Sequence, residues 1–109
     1  MATTYKVLGQ SAPAAATPTD LYTVPSATEA IISTINVVNT NSASDTVRIS
    51  IRPNGDAQNA KHYVVYELTI NGYATFTYTA GITLDATDVI TVYSTSGHSS
   101  FNAFGSEIA

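Results

Sequence analysis

The sequence predicts an all-β fold, an antiparallel two-sheet β-sandwich of seven to eight strands, Ig-like or jelly-roll. Three observations predict it. Apolar residues alternate with polar ones at period two along most of the 109 residues. Turn-forming residues interrupt that alternation about every 8–12 residues. No stretch sustains the 3.6-residue period of a helix, and no internal repeat of solenoid length is present. Ig-like and jelly-roll sandwiches differ in strand order, which alternation does not encode, so both stay open at this point.

The elements follow in order. Thr4 to Leu8 reads as a first strand within an extended N-terminal segment, residues 1–20. Gln10 to Asp20 is rich in Ala, Thr and Pro and reads as a connector. Leu21 to Val24 is a short strand stopped by Pro25. Glu29 to Val38 is the longest candidate, and both its faces carry apolar weight, as expected of a central strand covered on each side. Thr46 to Arg52 alternates cleanly, with Val47, Ile49 and Ile51 opposite Arg48, Ser50 and Arg52. After the turn Pro53-Asn54-Gly55-Asp56, a short helical turn is expected over Asp56 to Ala60, then a strand from His62 to Leu68. Asn71-Gly72 is the strongest short hairpin signal and leads into Tyr73 to Thr79. Asp88 to Ser94 and Ser99 to Ser106 form the last expected pair.

Length and composition set the function classes. A chain of 109 residues suits a single domain, 1–109, which buries roughly 65% of its unfolded surface and needs no staple. Charged residues are only 11% of the chain, while 17 Thr and 11 Ser take their place. Hydroxyl-bearing β surface packs against protein without the cost of desolvating ions, and charge depletion marks the centres of interfaces. The four basic residues, Lys6, Arg48, Arg52 and Lys61, are scattered in a chain of net charge −4, which argues against a nucleic-acid partner. No apolar run is long enough for a membrane helix, and Met1 to Gln10 lacks the charged and apolar regions of a secretory signal. The absence of Cys excludes disulfides and thiolate zinc sites, and synthesis in the cytoplasm is expected.

No catalytic constellation meets a spacing test. His62 and His98 belong to no zinc-binding motif; His62 reads as a strand-surface residue and His98 as a solvated turn residue. Asp85 and Asp88 are the nearest carboxylate pair, and a calcium site there competes with their ordinary role as turn formers ahead of a strand. No cofactor, no metal and no enzymatic activity is expected. Phe76, Tyr78, Tyr93, Phe101 and Phe104 fall on apolar strand faces and read as core or sheet-interface residues. Tyr63 and Tyr66 fall on opposite faces of one strand, so one of them points outward; with Tyr5 and Tyr22 they are the expected contact residues, because an exposed Tyr is rigid and half polar. The strands Glu29 to Val38 and Tyr73 to Thr79 carry no Lys and no internal Pro, so either would be a poorly guarded sheet edge.

Four blocks carry a resemblance to known proteins: Met1-Ala2-Thr3-Thr4-Tyr5-Lys6-Val7-Leu8-Gly9-Gln10; Leu21-Tyr22-Thr23-Val24-Pro25 with Ile31 to Asn39; Ile51-Arg52-Pro53; and Phe101-Asn102-Ala103-Phe104-Gly105-Ser106-Glu107-Ile108. Together they resemble small virion structural proteins of tailed bacteriophages, capsid-decorating or tail-associated, of marine and cyanophage type. The resemblance implies a non-enzymatic part of the particle, present in many copies in the virion and made in the host cytoplasm. The implied partners are other virion proteins, the major capsid or a tail protein. A homo-oligomer is expected, with a trimer favoured because capsid lattices offer three-fold sites. A tail- or fibre-associated adhesin that grips a host receptor or glycan is the alternative.

Overall fold

The computed structural model describes residues 2–109. Among the described residues nine strands run β1 (Thr3–Ser11), β2 (Thr19–Thr23), β3 (Glu29–Asn39), β4 (Asp45–Arg52), β5 (Tyr63–Ile70), β6 (Thr75–Tyr78), β7 (Ile82–Leu84), β8 (Val89–Ser94) and β9 (Ser99–Ile108). They form two antiparallel sheets. The first has the order β1-β9-β3-β6, with β7 also on β3; the second has the order β2-β8-β4-β5.

The β-sandwich expectation holds, and the strand order selects between its two forms. β6 and β7 lie along the same flank of β3 and act as one strand interrupted at Gly81. β1 then pairs with β9, β2 with β8, β3 with β6 and β7, and β4 with β5. The first half of the chain thus pairs with the second half in reverse order, and rolling that ribbon adds the contacts β3–β9 and β4–β8. This is a jelly roll.

The core lies between the sheets. Ile32, Ile35 and Val37 of β3 and Phe101 and Ala103 of β9 face Val47 and Ile49 of β4 and Ile90 and Val92 of β8, all nearly inaccessible to solvent. Phe76, Tyr78 and Ile82 close one flank half-buried. β3 is central, as its two apolar faces require, and so does not lie at an edge.

Three expectations are corrected, two of them by how the roll crosses between sheets. Asn71-Gly72 does not close a hairpin: β5 lies in the second sheet and β6 in the first, so the segment is an arch. Gly72 is needed there because a Cβ would sit 1.9 Å from the Ser42 carbonyl oxygen. Tyr73 follows with φ +59°, which delays β6 to Thr75. β8 and β9 are likewise neighbours in sequence but not in a sheet. The expected turn at 56–60 is replaced by two 3-10 turns that flank it, Pro53–Gly55 and Ala60–His62.

One end of the sandwich is held by buried polar groups. The Asp45 carboxylate, 3% exposed, accepts hydrogen bonds from the hydroxyls of Ser94 and Ser99, each at 2.5 Å, and from the backbone N–H groups of Ser96 and Thr46, each at 2.9 Å. The Asn39 amide, also buried, donates to the carbonyls of Ala43 at 2.8 Å and Ile70 at 3.1 Å, and its oxygen accepts from Asn41 N–H at 3.0 Å. The loops after β3, β5 and β8 are therefore pinned to one another from within, which satisfies backbone groups that the arches leave without ladder partners.

Candidate functional site

Each sheet turns one face outward. On the first sheet, strand pairing sets a row of Tyr5, Ser106, Ile31 and Thr83 beside a row of Val7, Phe104 and Thr34. A bulge between Ile32 and Thr34 adds Ser33 to the second row, and its hydroxyl donates to the Phe104 carbonyl at 3.0 Å. Tyr5, Val7 and Ile31 are exposed, Tyr5 at 82%. With Phe104 they line a shallow, mostly apolar groove of about 520 Å³. Phe104 is thus half-buried on the outer face and not in the core: Phe101 and Ala103 take the inward positions, and period two turns residue 104 away.

The second sheet carries an aromatic cluster on its outer face. Register shifts between Val47 and Ile49, and between Ile49 and Ser50, break the alternation of β5. Glu67, with φ +54°, bends it further. As a result Tyr63 and Tyr66 come onto the same face, with ring centroids 4.7 Å apart and edge to face, where alternation alone sets them on opposite faces. The Arg48 guanidinium lies over the Tyr66 ring at 4.8 Å and over the Tyr93 ring at 4.2 Å. Its Nε donates to the Glu67 carboxylate at 2.6 Å. Tyr93 therefore packs outside the core, beneath a cation. Tyr63 and Tyr66 line a shallow depression of about 510 Å³ with Gln58, Asn59 and Ala60.

Tyr22 does not join either face. It is buried, and its hydroxyl donates to Glu107 Oε2 at 2.5 Å. Lys6 Nζ reaches the other oxygen of that carboxylate at 2.8 Å. The trio bridges β2 of one sheet to β1 and β9 of the other. Lys6 and the Tyr22 hydroxyl hold the Glu107 carboxyl below the usual carboxylate range, while burial and the Glu107 carboxylate push the Tyr22 hydroxyl well above the usual phenol range. Arg48 and Arg52 are spent likewise, on Glu67 and Asp20. Three of the four cations thus face a carboxylate of the same chain.

The titratable residues form no catalytic arrangement among the described residues. His62 is buried, contrary to its expected place on a strand surface: it ends a 3-10 turn ahead of β5, and its Nδ1 accepts the Asn59 N–H at 3.0 Å. His98 is exposed beside β9, as expected of a turn. Asp88 accepts the N–H groups of Asn54 and Asp85, each at 2.9 Å, so one oxygen serves the turn ahead of β8 and the other ties it to the turn after β4. No cluster of three or more His, Asp or Glu side chains able to hold a metal ion occurs among the described residues.

No family model, no curated protein and no solved structure matches this chain.

Proposed function

We propose that this chain is a non-enzymatic bacteriophage virion structural protein, a capsid-decorating or cement protein that stabilises the particle by protein–protein contact. Its partner on the particle is the major capsid protein, or a tail protein if it sits below the head. The observation that carries the reading is the outer face of the first sheet, where Tyr5, Val7, Ile31 and Phe104 make one mostly apolar groove. An apolar patch framed by hydroxyls on a strand face suits a protein partner better than water, a phosphate or a lipid headgroup. By analogy of fold, jelly rolls recur in viral capsid and lectin domains. The resemblance of the four sequence blocks to phage virion proteins supports the same reading.

The test uses particles that lack the chain and are re-supplied with it. Wild-type chain is expected to bind and to raise the temperature at which the particles release nucleic acid. Ile31→Lys, on the outer face, is expected to keep the fold by circular dichroism and to lose at least about tenfold in binding, the effect of one buried charge at a contact. Equal binding by Ile31→Lys, or absence of the wild-type chain from purified particles by mass spectrometry, overturns the proposal.

A second reading rests on the depression beside Tyr63 and Tyr66. Two aromatic rings with the neighbouring residues Gln58 and Asn59 suit the apolar face and hydroxyls of a sugar ring, as a tail- or fibre-associated adhesin requires. A glycan array that scores hits for the wild type and none for Tyr63→Ala favours it; no hit removes it.

A further inference from the structure

We infer that β1 is a self-pairing edge, and that two copies of this chain join by antiparallel pairing of their β1 strands about a two-fold axis at Tyr5.

The four sheet edges are guarded unequally. β2 has five residues, lies between Pro18 and Pro25, and shifts register between Asp20 and Tyr22. β5 is broken by two register shifts and by the positive φ of Glu67. β6 and β7 have four and three residues and are interrupted at Gly81. β1 has nine residues, with regular pairing from Thr3 to Val7. In sequence Lys6 looks like the charge that protects such an edge. In the fold it is drawn to Glu107 on the inward side, and the guard is removed.

The backbone says which groups are free. Ala2 and Ala109 exchange N–H···O bonds at 2.9 Å in both directions. An antiparallel ladder alternates, so Thr4 and Lys6 also bond to β9, while the N–H and C=O groups of Thr3, Tyr5 and Val7 point away from it. Three free residues at i, i+2 and i+4 are symmetric about the middle one. A second β1 in antiparallel register therefore meets every free donor with an acceptor: Tyr5 faces Tyr5, and Thr3 faces Val7 in both directions. Lys6 then lies opposite Thr4 of the second copy, so the like charges are not directly opposed. The side chains of Tyr5 and Val7 stand on the outer face, so the apolar groove of each copy continues across the axis into the other. A two-fold contact is isologous and closes after two copies, which favours a dimer over the trimer suggested by lattice symmetry.

This inference stands apart from a place on the virion, since a dimer in free solution and absence from a particle are separate results. Sedimentation of the purified chain is expected to show a monomer–dimer equilibrium. Tyr5→Pro removes a free N–H and no bond to β9, so it is expected to keep the fold and stay monomeric. A second variant needs no loss of function. The chain has no Cys, and Tyr5→Cys places two thiols at a pair whose Cα atoms lie about 5.5 Å apart, within reach of a disulfide. Mild oxidation is expected to give a covalent dimer from Tyr5→Cys and none from Thr77→Cys on β6. A wild-type chain that stays monomeric at every concentration, a trimer, a Tyr5→Pro chain that dimerises like the wild type, or equal cross-linking of Tyr5→Cys and Thr77→Cys each overturns the inference.

Discussion

Phe101→Ala is expected to destabilise the fold by about 4 kcal/mol, the usual cost of emptying a core aromatic site. Phe101 is wholly inaccessible, on β9 opposite Val37 of β3. Its ring fills the space between the two sheets, which are joined by arches and cannot collapse freely onto the cavity. A domain of this size is stable by about 5–15 kcal/mol, so the loss is a large share of the total. Urea unfolding followed by circular dichroism gives the difference. Phe104→Ala, three residues along the same strand, is expected to cost only about 1 kcal/mol, because its ring lies half-buried on the outer face. Equal losses for the two variants contradict the assignment of faces along β9.

Asp45→Asn is expected to cost about 2–3 kcal/mol at neutral pH, and less as the pH falls. Burial raises the Asp45 carboxyl, but the hydrogen bonds from Ser94, Ser99 and Ser96 outweigh it and hold the group below the usual carboxylate range. Protons therefore bind the unfolded chain more readily than the folded one. The stabilisation is complete above the ordinary Asp value of about 3.9 and drains away as the pH drops through the lower folded value. The introduced amide replaces one acceptor oxygen with a donor, and protonation of the Asp45 carboxylate does the same, so in acid both chains lack at least one bond of the cluster. Thermal melts of both chains from neutral to strongly acidic pH are expected to converge at the acid end. A gap that stays constant with pH assigns the loss to shape alone and removes the charge argument.

Much of the fold was legible because period two is a local property of the backbone. Val47, Ile49 and Ile51 face the core as their alternation requires, and the doubly apolar Glu29–Asn39 strand is central because both its faces are covered. Sheet membership was not legible. Asn71-Gly72 marks a change of direction, but nothing in a dipeptide says whether the next strand stays in the same sheet or crosses to the other. β7 was missed because three residues after Gly81 are too few to show a period.

The contact surfaces were read less well, for related reasons. Tyr63 and Tyr66 share a face only because bulges in β5 shift the phase, and a bulge leaves no mark in alternation. Tyr22 is inward because Glu107, 85 residues away, accepts its hydroxyl. Tyr5 was read as exposed and is. Of the two strands without Lys, β6 does lie at an edge but is short, whereas the longer edge strand is β1, whose Lys6 is paired with that same distant carboxylate.

Amide hydrogen exchange along β1, followed by NMR, tests most directly whether this strand borders the sheet with alternate groups free. In dilute solution Thr4 and Lys6 are expected to exchange slowly and Tyr5 and Val7 fast, with Tyr5 and Val7 becoming protected as the concentration rises. Uniformly fast exchange across these four residues, or slow exchange at Tyr5 and Val7 in the dilute monomer, contradicts the account.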